Sequence, residues 1–422
     1  MNSKTIGNIF KGDKVIWMIF FFLCMISIIE VYSASSSLTY KSENYMGPVI
    51  KHMGLLGLGI LTMICMLKVK CKYFKIVTPF VLGFSFLLLI WALVAGQSAN
   101  GASRWINLVG FNFQPSELAK GAVILAVAQI LSAMQTENGA NNRAFKFILV
   151  AVAPFVFLIG LENLSTAMLL CVTILCMMIV GRIPMKLIGI LVGTVLIAIS
   201  LMLGTIMIIG HDDQETVKPE NTLTENVTKE EPSTAGKIFH RADTWKARID
   251  KFLDSKPVAP EDVDLNKDAQ VAHANIAIAS SNIAGKGPGN SVERDFLSQA
   301  YSDFIYSIII EEMGIEGAIA VAMLYIFLLF RVGRIANRCE NNFPAFLAMG
   351  LAILLVIQAL FNMMVAVGLA PVTGQPLPLI SRGGTSTVIN CVYLGIILSI
   401  SRTAKKKDGN QNAHHEAKIA VA

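Results

Sequence analysis

Residues 80–96 read FVLGFSFLLLIWALVAG, a run without a single charged side chain. A helix rises about 1.5 Å per residue, so about 20 such residues cross the hydrocarbon core of a bilayer. Comparable runs occupy residues 15–32, 187–210 and 345–370. None of them shows the strict alternation of apolar and polar residues that is typical of a transmembrane β-strand. The sequence therefore predicts helices that span a membrane.

The composition of the whole chain agrees with this prediction. Its 422 residues are 54% hydrophobic and 15% charged, with a mean hydropathy of +0.60, which excludes an ordinary soluble domain. The seven cysteines lie in apolar runs or short basic loops and match no disulfide, zinc or iron–sulfur spacing. We predict an all-α polytopic membrane protein with about ten transmembrane helices. The predicted spans are 15–33, 49–67, 75–95, 117–134, 146–161, 165–181, 186–210, 304–330, 344–369 and 384–401.

The distribution of Lys and Arg predicts the orientation, because short cytoplasmic loops collect these residues. Alternate loops and the two ends, counted up to Lys407, hold eighteen of them, whereas the other short loops hold only Lys41, Arg104 and Arg382. We therefore expect both termini in the cytoplasm: residues 1–14 before the membrane domain of residues 15–402, and a tail of residues 403–422. Loops 34–48, 96–116, 162–164, 211–303 and 370–383 then face outward.

The outer loop 211–303 lies between the seventh and eighth spans and is the longest. Its first part, HDDQETVKPENTLTENVTKEEPS, is acidic and nearly without large apolar residues, which predicts a mobile tether. Two apolar patterns at helical spacing follow, one starting at Trp245 and one running from Ala272 to Ile283. We expect two short helices, the second of them capped at its end by Gly285.

Three polar motifs fall on the outward face. The first, GASRWINLVGFNFQPSELAKG (101–121), predicts a helix capped by Ser116, with Glu117 in its first turn and Lys120 one turn further. The alternative is a local ion pair at the membrane interface. Because Lys120 lies inside an apolar span, it needs a partner or a watery cavity.

The second motif, FLSQAYSDFIYSIIIEEMG (296–314), places Asp303 at the mouth of an apolar run. Glu311 and Glu312 follow roughly 12 Å deeper in a helix. Ser302 or Asp303 could simply cap this helix. With Glu117 and Lys120, however, the three acids predict a polar cavity that opens outward.

The third motif, APVTGQPLPLISRGGTS (370–386), breaks an apolar region with three prolines and three glycines. Irregular backbone at that depth is tolerated only against protein or a watery cavity. Arg382, beside Gly383 and Gly384, offers a cation and backbone amides to phosphate oxygens, whereas the alternative is a plain hairpin. In the preceding span, Gln358 and Asn362 are spaced to join helices rather than to bind substrate.

In this order and on this face, the three motifs resemble the SEDS family of FtsW and RodA proteins, over nearly the whole chain. The resemblance implies a peptidoglycan glycosyltransferase that polymerises glycan strands from lipid II beside a class B penicillin-binding protein. It implies that Asp303 is the essential acid and that an outward cavity binds substrate. The residues expected to line it are Trp105, Gln114, Glu117 and Lys120, with Ser381, Arg382 and Gly383.

The chain departs from the family pattern at three places. Ser298 and Gln299 stand where Pro-Glu is common, Asn163 replaces an aspartate, and Arg382 replaces an aromatic residue. The arginine variant of the third motif favours the FtsW branch, and hence the division septum and other cell-division proteins as partners. A RodA-like elongation polymerase is the alternative branch.

The implied reaction needs a base and a stabilised leaving group. We expect Asp303 to deprotonate an acceptor hydroxyl, with its pKa tuned by Lys120, while cations stabilise the departing polyprenyl pyrophosphate. Candidate cations are Arg382, Lys286, Arg248 and Lys120. The sequence shows no metal site and no nucleic-acid partner, and a divalent cation such as Mg²⁺ or Mn²⁺ stays open as a further source of charge. The rival functions are a flippase for lipid-linked precursor and a scaffold of the division complex.

Overall fold

The computed structural model describes residues 11–34, 46–99, 102–108, 111–137, 139–209, 269–297 and 300–420. Ten apolar helices dominate it, at the positions predicted from the sequence. They are α1 Lys14–Ala34, α2 Gly47–Lys68, α3 Cys71–Ala95, α4 Pro115–Ala133, α5 Asn142–Glu162, α6 Leu164–Val180, α7 Met185–Ile209, α9 Ile305–Ala336, α10 Asn342–Ala366 and α11 Thr385–Ala420.

Shorter elements lie between the long helices. A helix α8, Ala269–Ala279, and a 3₁₀ turn, Glu293–Asp295, precede α9. Three antiparallel strands lie between α3 and α4: β1 Gln97–Ala99, β2 Ala102–Leu108 and β3 Phe111–Phe113. Strands β4 Gln135–Thr136 and β5 Gly139–Ala140 form a small hairpin. Helix α8 ends six residues before Gly285, so the prediction that Gly285 caps it is wrong.

Eight of the described helices are long and apolar enough to cross a membrane. These are α1 to α5, α9, α10 and the part of α11 up to Ala404, while α6 and the Met185–Ile197 part of α7 are shorter apolar helices. The chain divides into two units, Met1–Met185 with Ala259–Ala422, and Lys186–Val258. Almost all of α7 belongs to the second unit. The described site residues discussed below all belong to the first.

Within the first unit, burial separates central helices from peripheral ones. In α4, α10 and α11, 72% of the apolar span is buried, against 28% in α2, α3 and α5. Helix α3 exposes large apolar side chains along its length, among them Phe80, Leu87 and Val94. Since lipid tails are as apolar as these side chains, the outer helices can face the bilayer.

Glycines allow α2 and α11 to approach closely. A Cβ atom at Gly395 would lie 2.7 Å from the carbonyl oxygen of Met63, and one at Gly59 would lie 2.7 Å from Cys391 Sγ. Small residues at such crossings are typical of helices that pack within membranes. Helix α11 thereby lies directly against α2.

One end of the bundle is closed by an ion pair. Arg331 Nη2 lies 2.7 Å from Asp13 Oδ2, and the backbone N–H of Asp13 donates to Ser401 Oγ at 3.0 Å. Burial favours the neutral form of Asp13, but hydrogen bonds from Arg331 and from two backbone amides, together with the Arg331 charge, outweigh it and lower the pKa of the carboxyl. The beginning of α1 and the later parts of α9 and α11 therefore meet at the same end.

Candidate functional site

Asp303 lies two residues before α9 and is half-buried. Phe304 occupies the N-cap position of α9 without a side-chain capping bond, so the alternative that Ser302 or Asp303 caps this helix is wrong. Instead, Ser302 Oγ donates to Asp303 Oδ1 at 2.9 Å. The hydroxyl of Ser302 therefore helps to hold the Asp303 carboxylate in place.

The third sequence motif forms an irregular segment, residues 371–384, which we call the cradle loop. Its backbone carbonyl groups accept hydrogen bonds from buried side chains of three helices, α1, α9 and α10. The pairs are Asn362 Nδ2 to Gln375 O at 2.7 Å, Gln358 Nε2 to Pro376 O at 3.2 Å, Tyr325 Oη to Pro378 O, and Ser27 Oγ to Ile380 O at 2.7 Å. Irregular backbone is satisfied here by protein side chains, as its depth among apolar helices requires.

The cradle loop holds the segment that carries Asp303. Ser381 Oγ donates to the carbonyl oxygen of Ser302 at 2.5 Å, and the Arg382 backbone N–H donates to that of Tyr301 at 2.9 Å. Gly374 has φ +68°, and a Cβ atom there would lie 3.4 Å from Asp303 Oδ2. The structure thus brings Asp303 of the second motif together with Ser381 and Arg382 of the third.

The prediction of a phosphate cradle at Arg382 and Gly383 needs correction. The Gly383 N–H donates to the carbonyl oxygen of Ser381 at 2.8 Å, and that of Arg382 is used by Tyr301. Both amides are therefore engaged within the protein. The Arg382 guanidinium lies 5.4 Å from the centre of the Tyr301 ring and is half-buried, so this side chain is what the loop can offer to an anion.

Glu117 and Lys120 form the predicted ion pair in the first turns of α4. Lys120 Nζ lies 2.8 Å from Glu117 Oε1, and both side chains are almost fully buried. The second partner of Lys120 is Gln358 Oε1, at 3.1 Å. Lys120 is thus held by Glu117 and Gln358. The predicted influence of Lys120 on Asp303 stays a prediction.

The start of α4 also differs from its prediction. Gln114, not Ser116, occupies the N-cap position, and Pro115 fills the first turn, where its missing N–H is no loss. Gln114 Nε2 donates to Ser116 Oγ at 3.1 Å, and its backbone N–H approaches Thr385 Oγ1 at 3.4 Å. Gln114 therefore lies next to the end of the cradle loop. Trp105 lies half-buried on β2, opposite Gln97.

Lys286, Glu311 and Glu312 form a separate cluster. Lys286 Nζ lies 2.6 Å from Glu311 Oε1 and donates to Ser280 Oγ at 2.9 Å, so its charge is already paired. Glu312 accepts from the Gly289 N–H at 2.8 Å and from Ser33 Oγ of α1. These two acids fasten residues 280–292 to α9 and do not line the Asp303 site.

The same segment closes a break in α9. Gly314 has φ 70° and ψ −173°, which interrupts the helix. The N–H groups of Lys286 and Gly287 donate to the carbonyl oxygens of Glu311 and Glu312 at 2.9 and 2.8 Å. A neighbouring chain segment thus replaces the helical hydrogen bonds that the break removes.

Replacing Gly314 by alanine is expected to lower stability by about 2–4 kcal/mol, because this φ/ψ region is nearly exclusive to glycine and a Cβ would overpack the contact. That Cβ would lie 2.1 Å from the carbonyl oxygen of Ile283. Gly54→Ala is the matched control, since nothing lies within 4 Å of a Cβ there. Thermal unfolding in detergent measures both variants, and equal midpoints for the two would contradict this account of the break.

Several polar residues of this network were not predicted. Ser27 Oγ of α1 donates its one hydrogen to Ile380 O and therefore accepts from His52 Nε2 at 2.8 Å, while Tyr325 Oη donates to Pro378 O. Glu30 of α1 is fully buried and its oxygens lack a hydrogen-bond partner in the described part of the chain. A scan for polar side chains within the apolar spans would have found all four.

Some of the predictions cannot be compared with the structure. Arg248, the acidic tether and the helix predicted from Trp245 lie outside the described residues, as do Ser298 and Gln299. Within the described ranges, no group of three or more His, Cys, Asp or Glu side chains could hold a metal ion.

Known proteins resemble this chain along nearly its whole length. The model of the FtsW/RodA/SpoVE family, described as cell cycle proteins, matches residues 13–406. A probable peptidoglycan glycosyltransferase FtsW of Geobacter metallireducens is 30% identical over 419 residues, covering 96% of this chain and 99% of the relative. The peptidoglycan glycosyltransferase MrdB of Escherichia coli is 26% identical over 401 residues, covering 94% and 96%.

Solved structures share the fold. One described as "Structural coordination of polymerization and crosslinking by a peptidoglycan synthase complex" has a TM-score of 0.67 at 24% identity, covering 93% of this chain and 98% of the other. The Rod shape determining protein RodA of Thermus thermophilus has a TM-score of 0.61 at 22% identity, covering 93% and 97%. This protein is an integral membrane protein that belongs to the FtsW/RodA/SpoVE family of cell cycle proteins.

Proposed function

We propose that this protein is a peptidoglycan glycosyltransferase that polymerises glycan strands from lipid II, with Asp303 as its general base. One observation carries the proposal: the half-buried carboxylate of Asp303 belongs to a segment that the cradle loop fixes in place. Asp303 Oδ1 accepts from Ser302, and Ser302 is itself held by Ser381. The curated relatives that cover nearly the whole chain bear the name of this activity.

The chemistry requires one proton acceptor. The 4-hydroxyl of the acceptor sugar attacks the anomeric carbon of the donor sugar, and the hydroxyl proton passes to the Asp303 carboxylate. The new C1–O4 bond forms as the bond from C1 to the pyrophosphate oxygen breaks. Polyprenyl pyrophosphate leaves as an anion, so no second carboxylic acid is needed to protonate it.

The leaving group needs positive charge nearby. Arg382 is the best placed of the three expected cations that lie in the described part of the chain, because it is half-buried, adjoins the Asp303 segment and stacks on Tyr301. Lys120 and Lys286 are paired with Glu117 and Glu311. Arg382 is therefore our candidate for the residue that stabilises the departing pyrophosphate.

The proposed orientation places Asp303 at the outer face of the bacterial cytoplasmic membrane. The excess of Lys and Arg in alternate loops supports a cytoplasmic position for both termini. The contact of Asp13 with Ser401 and Arg331 supports this, since it brings both ends of the membrane domain together. Lipid II anchored in the outer leaflet could then reach Asp303 sideways from the bilayer.

The proposed partner is a class B penicillin-binding protein, which crosslinks the strands that this chain makes. The support is the shared fold with a structure described as coordinating polymerisation and crosslinking. We favour an FtsW-like role with other division proteins at the septum over a RodA-like role in elongation. The identity of 30% to an FtsW relative, against 26% to MrdB, supports this choice.

The test is a comparison of polymerisation and translocation by the purified full-length protein. Reconstituted with the class B penicillin-binding protein proposed as its partner and given labelled lipid II, it should yield a ladder of glycan strands on a gel. Vesicles with labelled lipid II in the inner leaflet measure translocation in parallel. Translocation without polymer would favour a flippase. The absence of both activities would favour a scaffold. Either of these two outcomes would overturn the proposal.

A further inference from the structure

Helix α10 carries two buried amide side chains one turn apart, Gln358 and Asn362. Their relative exposures are 0% and 1%. Residues four apart project from the same face of a helix, so both amides point toward the same neighbours. An amide buried among apolar helices is costly unless it is hydrogen-bonded, so each must be used. The partners show what each is used for.

Asn362 binds the residue proposed as the base. Its Nδ2 donates to the backbone carbonyl oxygen of Asp303 at 2.8 Å and to that of Gln375 at 2.7 Å. An amide nitrogen has two hydrogens, so both are used. The opposite orientation of the Asn362 amide would place Oδ1 against two carbonyl oxygens, so Nδ2 is the atom that faces them. Asn362 therefore joins Asp303 directly to the cradle loop.

Three successive carbonyl groups around Asp303 are fixed by three separate donors. Tyr301 O accepts from the Arg382 N–H, Ser302 O accepts from Ser381 Oγ, and Asp303 O accepts from Asn362. The first two donors belong to the cradle loop, whereas Asn362 belongs to α10. It is the only one of these three donors that bonds to Asp303 itself. The position of the Asp303 backbone, and hence the direction of its side chain, depends on it.

Gln358 makes the corresponding link to the other buried charge. Its Oε1 accepts from Lys120 Nζ at 3.1 Å, and its Nε2 donates to Pro376 O at 3.2 Å. The face of α10 thus binds the cradle loop twice, once beside Lys120 and once beside Asp303. Gln358 provides a matched comparison, because it holds the same loop without a hydrogen bond to Asp303.

We infer that Asn362 is a positioning residue for Asp303 in glycan polymerisation, through its hydrogen bond to the Asp303 carbonyl group. The inference rests on the proposed function. A group displaced by about 1 Å from its productive position can lose on the order of 10²-fold in rate. Loss of the Asn362 donor should therefore lower kcat and leave lipid II binding nearly unchanged.

The test is a double-mutant cycle on the full-length protein with its partner, measured as initial polymerisation rates. Asn362→Leu removes both donors at similar volume, and we expect kcat to fall about 100-fold with KM within about threefold. In the Asp303→Asn background the same change should cost less than about threefold, because there is no base left to position. Gln358→Met should lower the rate by the same factor in both backgrounds.

Thermal unfolding in detergent verifies that each variant is folded. If Asn362→Leu does not fold, Asn362→Ser, which keeps one donor, takes its place in the cycle with a smaller expected loss. Two outcomes would overturn the positioning role alone. In the first, the Asn362 substitution lowers the rate by the same factor in both backgrounds. In the second, the Asn362 variant has a wild-type kcat although Asp303→Asn is impaired. A wild-type rate for Asp303→Asn would overturn the general base, and the positioning role with it.

Discussion

Asp303→Asn is expected to lower the polymerisation rate about 10³-fold, within the 10²–10⁴-fold range that a positioned general base contributes. Asparagine keeps the size of the side chain and can still accept a hydrogen bond from Ser302. It cannot, however, take up the proton of the hydroxyl group that attacks. The KM for lipid II should stay within about threefold, because the carboxylate acts chiefly in the transition state. Initial rates from gels of labelled glycan strands measure both constants.

Asp303→Glu serves as the control for this variant. It keeps the carboxylate but moves it by one methylene, so we expect an intermediate loss. Its backbone remains held by Asn362, and the segment remains held by Ser381 and Arg382. An equal, small loss for both variants would mean that the Asp303 carboxylate contributes shape rather than basicity.

Lys120→Met is expected to destabilise the protein by about 3–5 kcal/mol, because it leaves the Glu117 carboxylate buried without its cation. Lys120 is fully buried and lies 2.8 Å from Glu117, and Glu117 Oε2 has no further partner among the described residues. The double variant Glu117→Gln, Lys120→Met removes both charges and should recover most of the loss. Lys72→Met, at an exposed lysine, should have no such effect.

Thermal midpoints in detergent, with polymerisation rates beside them, separate two roles of Lys120. If Lys120 only supports the fold through Gln358 and Glu117, the double variant should recover both stability and rate. Recovery of stability without recovery of rate would assign Lys120 a direct part in the reaction. A single variant as stable as the wild type would contradict the buried ion pair.

The sequence predicted those features that depend on neighbouring residues. The ten apolar helices follow from runs of about 20 apolar residues, and the Glu117–Lys120 pair follows from i, i+3 spacing on one helix. Asp303 was singled out as an acid at the mouth of an apolar run and by its motif. These predictions need no knowledge of how distant helices pack.

The predictions that failed depended on contacts between distant parts of the chain. Lys286 appeared available to an anion, but Glu311, 25 residues later, pairs with it. Gly285 had the sequence context of a helix cap, yet it faces Gly314 in the break of α9. The cradle loop was recognised as irregular, whereas its donors, Asn362, Tyr325 and Ser27, come from three helices. Tertiary packing decides such pairs.

The pH dependence of polymerisation tests the role of Asp303 most directly. Initial rates of the wild type and Asp303→Asn are measured across the acidic range on the same lipid II and partner. A general base must be deprotonated, so the wild-type rate should fall about tenfold per pH unit below the pKa of its base, while the residual rate of Asp303→Asn should lack this decline. The same decline in both proteins would contradict the assignment of Asp303 as the general base.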